Sequence, residues 1–124
     1  MRVALLAPGG GSSLRKRLSS LGLQVVTADP ALAGDLERVR LLLAPLAWGL
    51  EGGIERAAEL DLPTVVYASE PSVGDIVACM RGGARGVVTI PVEAEQLLAQ
   101  LRLAVRMHTM DKERKVLTAR VGRL

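Results

Sequence analysis

The chain has no phenylalanine, and only one tryptophan, one tyrosine, one histidine and one cysteine in 124 residues. A lone Cys79 allows no disulfide framework, which suits a cytosolic protein. His108 has no cysteine or second histidine with which to hold a metal. No Ser/His/Asp set, acid pair or metal cluster is visible, so the chain is not expected to be an enzyme and no cofactor is expected. Long apolar runs are missing too. The longest, LLLAPLAWGL, is too short to span a bilayer and is interrupted by Pro45, so no membrane is expected. The opening MRVALLAPGGG lacks a signal-peptide cleavage pattern and reads as a first core strand.

What is present is a large apolar fraction, 49% of residues, enough for one folded domain. The net charge of +3 is unevenly spread. Residues 102–124 carry seven Lys/Arg against two acids, a local +5 that leaves −2 on the remainder. A basic tail can meet nucleic acid or an acidic partner, but its plainer reading is a solvated helix face. It holds no aromatic residue for stacking on bases, so sequence-specific RNA binding is not expected from it.

Five short apolar runs, RVALLA, LQVVTA, VRLLLA, PTVVYAS and GVVTIP, are mostly continuous rather than alternating, as strands buried on both faces are. Helical periods separate them. Leu14, Leu18 and Leu21 make one apolar face, ended by Gly22. A short helix is expected over Ala31 to Glu37. Ile54, Ala57, Ala58 and Leu60 make a third face. Val73, Ile76, Val77 and Met80 make a fourth, stopped by Gly82-Gly83. Leu97, Leu98 and Leu101 begin a fifth. Five strand–helix units predict an α/β protein of flavodoxin-like (βα)5 type, a five-stranded parallel sheet of order 2-1-3-4-5 between helical layers.

The last helix is expected to continue past this domain. Leu103, Met107, Met110, Arg114, Leu117, Val121 and Leu124 alternate spacings of four and three, the seam of a coiled coil with one polar layer at Arg114. The expected division is a domain over residues 1–106 and a helical extension over 107–124, the second offering a homodimer interface. An amphipathic helix folded back on the sheet is the alternative. His108 lies off the seam and is expected to face solvent.

The segments GGARGVVTIPVEAEQLLAQLRLAVR, LPTVVYAS and LLLAPLAWGLEGG together resemble the receiver domains of two-component response regulators over residues 2 to about 106. That resemblance implies the phosphoryl-accepting chemistry of the family, which needs an aspartate after the third strand, two acids after the first to hold Mg²⁺, a lysine and a hydroxyl. The chain departs at each position. Ala7 with Pro8, or Pro8 with Gly9, stands where the acids belong, Ala44 where the acceptor belongs, Ala68 at the hydroxyl position with Ser69 one step on, and Ile90 at the lysine. The expectation is a receiver-like domain that does not receive phosphate, regulated instead by a partner protein or a small ligand.

The loop APGGGSS offers Gly9, Gly10, Gly11 and Ser12, which with Ser69 could hold an anion or nucleotide and make the chain a ligand sensor. It lacks the Gly-Lys-Ser/Thr of a phosphate-binding loop and a dinucleotide fingerprint. A tight turn capped by Ser12 or Ser13 is the plain alternative. Trp48 is either a lid on its own domain or a partner-docking residue. Tyr67 points toward the same strand ends or into a helical layer. Cys79 reads as a small, partly buried hydrophobe. The tail LRLAVRMHTMDKERKVLTARVGRL is similar to the linker of the ANTAR transcription antiterminators. That similarity implies a regulatory and dimerising part of an RNA-binding regulator, with RNA engaged only by helices that residues 1–124 do not include. In many receivers the dimer instead uses the face of the fourth and fifth helices.

Overall fold

The computed structural model describes residues 1–6, 12–28, 32, 36 and 38–121. Five strands form one parallel sheet: β1 (Arg2–Leu5), β2 (Gln24–Thr27), β3 (Leu41–Pro45), β4 (Thr64–Ala68) and β5 (Gly86–Thr89). Their order is β2-β1-β3-β4-β5, as the alternation of strands and helices predicted. The helices are α1 (Ser12–Ser20), a single turn α2 (Leu46–Trp48), α3 (Ile54–Glu59), α4 (Val73–Gly82) and the long α5 (Ala94–Val121).

Successive residues of a strand face opposite ways, and the core divides accordingly. On one face Val3, Leu5, Leu41, Leu43, Val65 and Val88 pack with Leu18 of α1 and with Leu97, Leu101 and Ala104 of α5. On the other, Ala4, Leu6, Leu42 and Ala44 pack with Ala57 of α3. Val66 packs with Leu46, Ile54 and Cys79 on that same side. The three leucines of β3 are fully buried, each contributing about 2 kcal/mol of apolar burial. Central position in the sheet explains why that run is continuous.

Four local expectations need correction. The third strand begins two residues into the run VRLLLA, at Leu41, and leads straight into a helical turn at Leu46. Within α4 the apolar residues Val73, Val77 and Met80 turn outward, Val73 to 77% exposure, while Cys79 carries the buried contact. Helical period fixes which residues share a face, and here small Cys79 fits against Leu46 and Val66, where the α4 layer sits close to the sheet. Ala58 and Leu60 are likewise exposed, leaving Ile54 and Ala57 to pack α3. Of the helix expected over Ala31 to Glu37, Leu32 has a left-handed φ of 55° and is not helical; Ala31, Ala33, Gly34, Asp35 and Glu37 lie outside the described residues.

Helix boundaries follow local chemistry. Ser72 caps α4, its Oγ accepting from the Asp75 backbone N–H at 3.1 Å, and Asp75 sits in the first turn where the helix dipole favours an acid. Gly83, at φ 114°, ends it. No helix among the described residues is long and apolar enough to cross a membrane.

Candidate functional site

Open α/β sheets bind ligands at the carboxyl ends of their strands. Here those ends are set by register. Ala44 of β3 pairs with Val66 of β4, Pro45 with Tyr67, and Ala68 with Thr89 of β5. Ile90 follows β5 and donates its backbone N–H to the Ala68 carbonyl at 2.9 Å. The fold therefore brings Ala44, Ala68 and Ile90 onto adjacent strand ends. Ala7, Pro8, Gly9, Gly10 and Gly11 lie outside the described residues. Ser12 is the first residue of α1. Ser69, just past β4, is exposed.

Two aromatic side chains close this end. Tyr67 reaches across the sheet, and its hydroxyl donates to the Leu6 carbonyl at 2.8 Å. Leu6 is the residue after β1, whose own N–H already donates to Leu43 at 2.9 Å, so the tyrosine satisfies a carbonyl at the edge of the ladder. Burial holds the Tyr67 hydroxyl above its ordinary pKa of 10.0. On the opposite face Trp48 packs against the cluster that contains Ala44 and Leu6. Its indole lies against Gly53: a Cβ built there would stand 2.3–2.4 Å from three ring carbons, so no other residue fits beneath the ring unshifted. The chain between them makes a wide turn over Gly49–Gly53, broken at Gly52, whose φ of 93° glycine adopts freely. Trp48 is thus a lid on its own domain, and it edges an open cleft of about 230 Å³ with Glu51, Gly52, Gly53 and Arg56.

These groups can do little acid–base or electrophilic chemistry. Ala44 is fully buried among apolar side chains. A hard divalent cation requires oxygen donors, and the β3 end supplies alanine and proline side chains, so the residues present do not fit Mg²⁺. Among the described residues no group of three or more His, Cys, Asp or Glu is arranged to hold a metal ion. Cys79 is buried, and burial, with nearby Asp75 and Glu55, pushes its thiol pKa up, the opposite of what a reactive thiolate requires.

The polar groups converge elsewhere. At the amino end of the sheet, His108 Nε2 lies 3.0 Å from Asp61 Oδ1, and Lys112 pairs with the other Asp61 oxygen. Arg85 pairs with Asp111 and approaches His108 Nδ1 at 3.5 Å. The Lys112 hydrogen bond, with help from His108, holds the Asp61 carboxyl below its ordinary pKa despite desolvation. These side chains edge a cleft of about 260 Å³ whose floor includes Ile54, Leu62, Pro63 and Thr64. The Thr64 hydroxyl is buried there with no hydrogen-bond partner among the described residues.

His108 therefore does not face solvent: its side chain is 18% exposed and hydrogen-bonded to Asp61. The signal that could have found it is its place on α5. Leu97, Leu101, Ala104 and His108 follow one core-facing stripe, and Asp111 and Lys112 continue it in charged residues. The seam residues Leu103, Met107 and Met110 lie about 120° around the helix from that stripe and are 40–51% exposed. Arg114 is exposed as well. Leu117 and Val121 fall within α5, but their side chains, like all of Leu124, lie outside the described residues.

No family model matches the chain, and no curated protein matches it. Solved structures do. A response regulator receiver protein from Pseudoalteromonas atlantica superposes with a TM-score of 0.69 at 18% identity, over 86% of this chain and 98% of that one. A CheY-like receiver domain protein from Methanospirillum hungatei gives 0.66 at 17% identity, over 89% and 97%. NtrX from Brucella abortus, solved in complex with ATP, gives 0.73 at 24% identity over 94% of this chain but 28% of its own. At these identities the likeness is one of architecture: the chain has the fold of the response-regulator receiver domains.

Proposed function

We propose that this chain is a receiver-fold regulatory module that works without phosphoryl transfer and dimerises through α5. The observation that carries the reading is Ala44, fully buried near the end of β3 in the cluster that Trp48 packs against, at the place where the receiver resemblance calls for an aspartate acceptor. A methyl group cannot form an acyl phosphate. Nor do Ala68 and Ile90, on the neighbouring strand ends, supply the hydroxyl or ammonium that would neutralise a transferring group. Control then comes from a partner protein or small ligand that acts on the assembled dimer in the cytoplasm, and the role is regulatory rather than catalytic.

The exposed stripe Leu103–Met107–Met110 supports the dimer, because apolar side chains at this spacing need a partner helix. The similarity of the tail to the ANTAR linker points to a transcription antitermination regulator, in which RNA is engaged by an output domain and not by residues 1–124. Acetyl phosphate and Mg²⁺, followed by intact-mass measurement, test the first half. No stable phosphoryl adduct is expected, and an adduct would overturn the reading. Light scattering on a Leu103→Glu/Met107→Glu variant tests the second. A folded monomer is expected, whereas an unchanged dimer would move the interface elsewhere.

A further inference from the structure

Three helices of this chain end in the same manner. After α1, the Gly22 and Leu23 N–H groups donate back to Ser19 and Leu18 at 3.0 and 3.4 Å. After α4, the Gly83 and Ala84 N–H groups donate to Met80 and Cys79 at 3.2 and 3.0 Å. After α3, the Asp61 and Leu62 N–H groups donate to Ala58 and Ala57, both at 3.0 Å. This closure puts one residue in the left-handed region, where glycine is favoured. Two of the three ends use glycine. The third uses Asp61, at φ 58°.

Asp61 is also the hub of the cluster at the amino end of the sheet. One oxygen meets Lys112 and the other meets His108. Arginine can only donate, so His108 Nδ1 accepts from Arg85 and Nε2–H donates to Asp61; the neutral imidazole satisfies both neighbours at once. Asp111 holds the same Arg85 from the next turn of α5. Exposed ion pairs add little to stability, and the aspartate is half-exposed in a backbone conformation that glycine would adopt at lower cost. Stability alone does not account for a carboxylate there. Geometry does. His108, Asp111 and Lys112 lie just beyond Ala104, where the apolar packing of α5 on the sheet ends.

We propose that the Asp61–His108–Lys112 and Arg85–Asp111 contacts form a clasp that fixes the direction and rotation of α5 as it leaves the body, and so couples the body to the seam. The coupling rests on the dimer reading above; the clasp itself stands on contacts within one chain. Any event that changes the α3–β4 turn or the approach to β5 would then turn the seam that the partner helix meets.

Hydrogen exchange on the full chain tests it, in a Leu103→Glu/Met107→Glu background that removes the seam but touches no clasp residue. Asp61→Gly is expected to speed amide exchange over residues 106–112 about tenfold or more while residues 97–104 stay protected. His108→Leu/Lys112→Met, which leaves the turn intact, is expected to do the same. Unchanged exchange over 106–112 in both would overturn the clasp. With the seam restored, Asp61→Gly is expected to weaken dimerisation about tenfold through lost preorganisation. An unchanged dissociation constant beside faster exchange would overturn the coupling. A Leu103→Glu/Met107→Glu chain that still dimerises would sink the seam reading and leave the exchange result standing.

Discussion

At the carboxyl end of the sheet, Ala44, Ala68 and Ile90 meet on neighbouring strands, with Trp48 and Tyr67 packed over opposite faces. At the amino end, Asp61, Arg85, His108, Asp111 and Lys112 hold one another in a chain of ion pairs and hydrogen bonds. An open α/β sheet ordinarily has these materials the other way round, with polar groups where the strands finish. The difference teaches that, among the described residues, the polar contacts gather at the end where α5 leaves the body rather than where the strands finish. If the chain is the regulatory module proposed above, its body and α5 must be mechanically joined, and the charged contacts lie at that joint.

The comparison breaks hardest if a charged group is placed at the carboxyl end. Ala44→Asp buries an unpaired carboxylate in the apolar cluster beside β3 and is expected to lower the unfolding free energy by about 3 kcal/mol, measured by urea titration, without making the chain accept phosphate. A variant as stable as the parent would mean that this end is open to water. Gly53→Ala comes next. Its Cβ collides with the indole, so a loss of about 2 kcal/mol is expected, with a red shift in emission from the sole tryptophan as the ring is displaced. Unshifted fluorescence would show that Trp48 does not depend on that glycine.

Tyr67→Phe removes one hydrogen bond and leaves the Leu6 carbonyl without its donor, at a cost of about 1 kcal/mol. The same residue carries a pH signature. Because burial raises its pKa above 10.0, its contribution is fully present below pH 10.0 and is lost as pH rises through the higher folded value. Stability against pH should therefore fall more steeply above pH 10.0 in the parent than in Tyr67→Phe, with tyrosinate absorbance following the parent's loss. The smallest effect is expected at the amino end. Asp61→Gly relieves a left-handed aspartate as it breaks exposed ion pairs, and thermal unfolding should change by less than about 1 kcal/mol. A large loss there would make the clasp a stability device instead of a positioning one.

Much of this was legible in order along the chain. Continuous runs such as Leu41–Leu43 could only be strands buried on both faces, and the helical periods between them required parallel crossovers. The residues at the strand ends were equally plain, because Ala44, Ala68 and Ile90 need no partner to be recognised as lacking acid, hydroxyl or ammonium. On α5 the sequence holds two stripes, Leu97–Leu101–Ala104–His108 and Leu103–Met107–Met110, each with good helical spacing.

Periodicity determines which residues share a face, since that follows from the turn of the helix alone. It does not determine which face meets the body. In α4 the stripe Val73–Val77–Met80 is the more hydrophobic, yet the structure turns it outward and seats Cys79 against the sheet. His108 looked like a solvated residue because its partners are Asp61, 47 residues away, and Arg85, 23 residues away. Local propensity carries no information on contacts that far apart. The sequence by itself determined the layers, the strand order and the alanine near the end of the third strand; the tertiary structure alone decided the outward turn of α4 and the meeting of Asp61 with His108 and Lys112, because both depend on how elements distant in the chain come to lie against each other.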